Sequence, residues 1–181
     1  MKQTYSTATL LLFFLSSPVW SQPANLELNP DGSYVLEVPV VGFQGNPGFY
    51  QNARFQSGES ELSWTLLSVD EGQTINSVNA VDVITTSEMP IQVFLEVSGE
   101  ISPCLEVGEY AMNRVDNSFE IFLYYDPDSF PPPGTACIDS VEPYSTVIPL
   151  PAYGLEAGEY VLSVNGEENG SFIIPADNLL P

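Results

Sequence analysis

The side chains able to do chemistry in this chain are almost all carboxylates. Asp and Glu number 24 against three Lys and Arg together, and there is no His. Lys2 is the sole lysine, with Arg54 and Arg114 the remaining cations. Ser-His-Asp, Cys-His and Ser-Lys nucleophile arrangements therefore have no residues to run on once Lys2 has left, and neither has Schiff-base chemistry. Catalytic zinc lacks imidazole ligands, and no Gly-rich loop leads into a helix that could hold a phosphate. What carboxylates can do alone is hydrolyse a glycosidic bond, one kept protonated while its partner stays ionised. Glu100 and Glu120 are positions from which such a pair could be drawn, but strand carboxylates are usually just the solvent face. The expectation is that the protein is not an enzyme, with a carboxylate-dependent glycoside hydrolase as the distant alternative.

Binding chemistry is the next candidate. Asn29-Pro-Asp-Gly32, Asp126-Pro-Asp128 and Glu167-Glu-Asn169 each gather hard oxygen donors at short spacing. None has the spaced ligands and glycine of an EF-hand loop, and turns use the same residue types for backbone reasons. Asp126 and Asp128 are the positions to test for Ca²⁺, and no other cofactor is expected. Among aromatic residues, Trp64 and Phe122 fall in alternating strands and are expected in the core. Phe130, between Ser129 and three prolines, and Tyr153, in a later loop, are the expected ligand-facing positions. Arg114 has several strand carboxylates for neighbours and is expected to form a local ion pair of little net value.

The formal net charge is −21. Phosphate backbones and anionic lipid surfaces repel such a chain, so nucleic-acid and membrane-surface roles are disfavoured, and the expected partner is a protein or a glycan. Solubility, salt adaptation and cation binding are all served by acidity, and the sequence does not choose among them. Cys104 and Cys137 are the only cysteines. In an exported chain such a pair reads as one disulfide.

Export follows from the first 21 residues. Lys2, the apolar run 10–15 and Val19-Trp-Ser21 have the form of a signal peptide cleaved near Ser21, too short to span a bilayer. No Cys follows the cleavage site to take a lipid, and no later stretch has the roughly 20 apolar residues of a membrane helix. A secreted or periplasmic location is expected.

The elements that position these residues read as strands. Period-two alternation marks 33–41, 49–55, 61–69, 78–84, 91–97, 109–115, 118–125, 144–150 and 160–165, with 171–174 as a return strand, and no amphipathic helix intervenes. Residues 22–30 read as a polar lead-in. Asp116-Asn117 suits a tight hairpin, and Asn165-Gly166 with Asn169-Gly170 supplies positive φ for a closing one. Residues 126–134 carry too many prolines for regular structure. Leu155-x-x-Gly158-x-Tyr160 matches a tyrosine corner, in which a Tyr hydroxyl bonds back to upstream backbone. The expected architecture is all-β: an immunoglobulin-like antiparallel sandwich over 89–176 with one disulfide, preceded by a small β-meander over 22–88 and followed by a tail, 177–181.

Gly99-Glu-Ile-Ser-Pro-Cys104, Asn117-Ser-Phe119, Ala136-Cys137, Pro143-Tyr144, Ile148-Pro-Leu150, Gly154-Leu-Glu-Ala-Gly-Glu-Tyr160 and Val164-Asn-Gly166 together resemble an uncharacterised immunoglobulin-like module of exported bacterial proteins. The resemblance runs from near Pro90 to near Pro175. Its motifs are structural: Gly158, Tyr160, Asn165 and Gly166 would shape the fold, and no catalytic residue comes with it. It implies a non-catalytic binding or structural module, with a Ca²⁺-stabilised adhesion-type module as the alternative.

Overall fold

Alternating sequence becomes alternating burial. A computed structural model describes residues 24–43, 46–58 and 63–180, without the side chains of 43, 46 and 47. The leader expected over 1–21 and its expected cleavage near Ser21 lie outside the described residues.

Eleven strands are described: β1 (Asn25–Leu28), β2 (Tyr34–Phe43), β3 (Asn46–Ser57), β4 (Trp64–Glu71), β5 (Val78–Thr85), β6 (Val93–Ile101), β7 (Val107–Val115), β8 (Ser118–Tyr125), β9 (Glu142–Leu150), β10 (Gly158–Val164) and β11 (Glu167–Ile174). A single 3-10 turn, Pro127–Ser129, interrupts the loop after β8. They form three sheets: β1-β2-β3-β4, β11-β10-β8-β7 and β5-β6-β9. No helix among the described residues is long and apolar enough to cross a membrane.

The last two sheets face each other as a sandwich. Val93, Leu95 and Val97 of β6 and Ile148 and Leu150 of β9 meet Phe119, Ile121 and Leu123 of β8, Tyr160, Leu162 and Val164 of β10, and Phe172 and Ile174 of β11 in one core. Every second residue of β6, β8 and β10 is buried, as a strand with one face on a core requires. Antiparallel pairing prevails, but β10 runs parallel to β8 from Val161 opposite Ser118 to Val164 opposite Ile121.

The N-terminal sheet is a sequential meander. Its first strand, β1, occupies part of the expected lead-in, where Leu26 and Leu28 alternate with Asn25 and Glu27. Four residues alone carry little signal. The turn Asn29-Pro-Asp-Gly32 sets the pairing, with Gly32 N–H donating to the Asn29 carbonyl and Leu26 falling opposite Leu36.

Three further differences from expectation have physical causes. β5 lies before the expected boundary at 88, yet it pairs with β6 of the sandwich, and Ile75 before it is in the sandwich core. Trp64, expected in the core, is 45% exposed, because all of β4 is exposed on both faces. The return strand after Asn165-Gly166 starts at Glu167 rather than Ser171, with Asn169 the extra residue of a bulge between the pairs Leu162–Gly170 and Ser163–Glu168. There the Asn169 side chain accepts from Val164 N–H at 2.7 Å.

Candidate functional site at the disulfide-tied end of the sandwich

Strand direction sorts the loops between two ends. β8 and β10 run parallel, so the chain leaving β8 at Tyr125 and the turn leaving β10 at Val164 are at one end. The loop entering β10, with Tyr153, is at the other. Eight residues of β8 span about 26 Å. Phe130 and Tyr153 therefore do not form one site.

At the first end the two cysteines meet. Cys104, after β6, is bonded to Cys137, before β9, with Cα atoms 5.9 Å apart. The bond ties two loops rather than crossing the core: Cys104 is half-buried and Cys137 exposed. It pins the segment between β8 and β9, which carries Phe130, Ile138 and Val141. Phe130 is 36% exposed, Ile138 74% and Val141 61%. Phe130 rests edge-on against Tyr125, ring centroids 6.0 Å apart. Tyr153, at the far end, is exposed as well.

The acidic residues here do different work from metal ligation. Asp126 caps the 3-10 turn, its Oδ1 accepting from Asp128 N–H at 2.9 Å, while its own N–H donates to the Glu106 carbonyl. Among the described residues, no three Asp, Glu or Cys side chains gather as a metal cluster would. Glu120 accepts from Asn113 at 3.2 Å, and Glu100 is exposed. At this end of the sandwich Glu109 of β7 is pushed above its usual range by burial and, secondarily, by the negative charge of Asp126. As one of many strand carboxylates, it gave the sequence no reason to single it out.

Asn165 organises this end. With φ of 51° at Asn165 and 86° at Gly166, the pair makes the reversal into β11. Its side chain does more. β8 bonds to β10 as far as Ile121, whose carbonyl accepts from Asn165 N–H. Beyond that point the edge of β8 passes to residues 73–75: Ile75 N–H donates to the Leu123 carbonyl and Tyr125 N–H to the Gln73 carbonyl. Asn165 fills the gap at the handover. Its Oδ1 accepts from Leu123 N–H at 2.8 Å and its Nδ2 donates to the Ile75 carbonyl at 2.7 Å. A turn residue by sequence is thus a clamp among three segments, a role only the distant partner Ile75 could reveal.

Glycine matters most at Gly99. A Cβ there would lie 1.8 Å from the Ser77 carbonyl oxygen, so the approach of the chain before β5 to β6 excludes any side chain.

The opposite end is structural. Tyr160 Oη donates to the Glu156 carbonyl at 2.9 Å, and its ring stacks on Phe172 at 5.3 Å. Gly158 opens β10, where the Asn117 side chain donates to the Glu159 carbonyl. Arg114, expected in an ion pair, instead bonds the Asp116 carbonyl and lies 5.5 Å from the Tyr160 ring centroid. Asn178, in the expected tail, is fully buried. Its side chain accepts from Ile91 N–H and donates to the carbonyls of Ile91 and Ala152, so the fold extends past 176.

With core, corner and disulfide in place, comparison with known families has a structural counterpart. Residues 95–174 match the family model of the ORF11 beta-sandwich domain. Comparison with curated proteins and with solved structures gave no match. The matched segment starts inside β6 and ends with β11, so it contains both cysteines and Tyr160. It omits β5, Ile75 and Asn178, all of which the sandwich uses.

Proposed function

We propose that the chain is a non-catalytic extracellular or periplasmic module that binds a protein or glycan through the disulfide-tied end of its sandwich. The observation that carries this reading is the segment between β8 and β9, where a disulfide and several prolines hold Phe130, Ile138 and Val141 toward solvent. Fixing apolar side chains before binding lowers the ordering cost that a flexible loop would meet. Immunoglobulin-like kinship belongs to the same proposal, supported by the Tyr160 bond and two facing sheets, and a bacterial origin rests on the sequence resemblance alone. A leader at 1–21 and the disulfide support export.

Catalysis is not part of it. The chain has no His, and Glu109 with Asp126 is the pair that a glycosidase reading would now invoke. Turnover of any glycan by the purified chain, lost in Glu109→Gln, would replace this proposal. Calcium is expected to leave the melting temperature unchanged, because Asp126 is engaged as a cap. A rise on adding calcium, reversed by chelation, would favour a Ca²⁺-stabilised adhesion-type module.

The binding experiment compares the two ends. Ligands captured by the immobilised chain from glycan arrays and exported proteins are retested against Phe130→Ala with Ile138→Ser, and against Tyr153→Ala. Loss with the first variant alone supports the assignment. Equal binding by both variants overturns it.

A further inference from the structure

We infer that β4 pairs with β4 of a second copy of this chain, antiparallel about a two-fold axis, joining two four-stranded meanders into one eight-stranded sheet. Among the described residues β4 is an edge strand, and all eight of its residues are exposed. An open edge presents N–H and C=O groups to any strand that fits, and soluble proteins blunt such edges with lysine, proline or short length. The other edge of this sheet, β1, has only four residues. β4, WTLLSVDE, contains neither proline nor lysine, and its one irregularity is a bulge at Leu67, between the pairs Arg54–Ser68 and Phe55–Leu66, which leaves Leu66 and Val69 on the same face.

The distribution of charge selects the occupant. Asp70 and Glu71 are the strand's only charged residues and both are at its C-terminal end. Antiparallel pairing can place Trp64 opposite the partner's Glu71, Thr65 opposite the partner's Asp70, and Leu66 opposite the partner's Val69. No carboxylate then faces another. A parallel pairing in register would set Asp70 and Glu71 beside their own copies, which is destabilising. The antiparallel arrangement also prolongs an apolar row. Leu26, Leu36, Phe55 and Leu66 lie opposite one another across all four strands, and the partner's Val69 comes next. Leu26, Trp64, Leu66 and Val69 are exposed in the single chain. Each copy carries a formal charge of −21, so the copies repel at long range and salt strengthens their association by screening.

Sedimentation equilibrium of the purified chain at low and high salt tests this, with Thr65→Lys, Thr65→Glu and Ser140→Lys as variants. Thr65 and Ser140 are both exposed, and Ser140→Lys changes net charge equally without touching β4. A dimer that tightens with salt is expected. Thr65→Lys, facing the partner's Asp70, should lower Kd about two- to five-fold beyond Ser140→Lys, and Thr65→Glu should raise it by a similar factor. A monomer under all conditions, or a dimer indifferent to both Thr65 changes, overturns the inference: the open edge then takes a strand from a different protein, or the copies meet elsewhere.

Discussion

The sandwich and the meander are both mainly antiparallel β-structure with similar apolar content, yet they use their apolar residues in opposite ways. In the sandwich, Leu95, Phe119, Ile121, Ile148 and Leu162 have no exposed surface. In the meander, Leu26, Leu28, Trp64, Leu66 and Leu67 are exposed, and among the described residues Val35 and Ala53 are the hydrophobic ones that are buried. Two sheets facing each other can hide one side of every strand; a single sheet needs something laid upon it. Stability therefore resides in the sandwich, and the meander offers surface.

The comparison is sharpest in core truncation. Leu162→Ala should cost about 2 to 5 kcal/mol, whereas Leu66→Ala, in protein dilute enough to be monomeric, should change stability by no more than about 0.5 kcal/mol. Chemical denaturation of both variants decides it, and equal losses would break the contrast. Next comes the disulfide. Cys104 and Cys137 are 33 residues apart, and opening that loop with a double Ser substitution should cost about 3 to 4 kcal/mol, with the loss confined to the transition that the sandwich controls. Asn165→Ala leaves the Leu123 N–H and Ile75 C=O without their partner and should cost about 2 to 4 kcal/mol. Asn178→Ala strips three bonds from buried backbone and should cost a similar amount.

The smallest effect is electrostatic. Glu109 is held above its usual range by burial and by Asp126. A carboxyl whose folded pKa is raised binds protons more tightly when folded, so its contribution falls as pH rises through the carboxylate range and above. Glu109→Gln should therefore stabilise the protein at neutral pH, and the gain should vanish below the unfolded carboxylate pKa. Its size is damped by solvent, since the group is partly exposed. Thermal melts of both forms across this range check the sign.

What was legible in the sequence was local. β8 occupies 118–125 as its alternation implies, because each inward residue repeats at the strand period and Asp116-Asn117 fixes where it starts. The cysteines pair as an exported chain with two thiols suggests. Tyr160 finds its partner only four residues upstream. What was illegible depended on residues far away in the chain. Trp64 sits in a well-patterned strand, but whether a strand's apolar face is covered depends on what is laid upon it, and among the described residues β7 of the sandwich touches β2 and β3 but leaves β4 exposed. Asn165 and Asn178 look like turn and tail residues; their partners Ile75 and Ile91 are 90 and 87 residues away. β5 follows a weakly patterned stretch, and its register with β6 depends on the approach of Ser77 to Gly99. For the candidate site the divide is the same: Phe130 and Ile138 could be read as loop residues, while their placement at the end opposite Tyr153 required the parallel pairing of β8 with β10.

Native-state hydrogen exchange on dilute protein tests the division of labour most directly. Amides bonded within β6, β8 and β10 should exchange only through global unfolding, while those bonding β4 to β3 should open at a much smaller free energy. Protection in β4 equal to that in β6 would contradict it, showing that the exposed sheet and the buried core unfold as one unit.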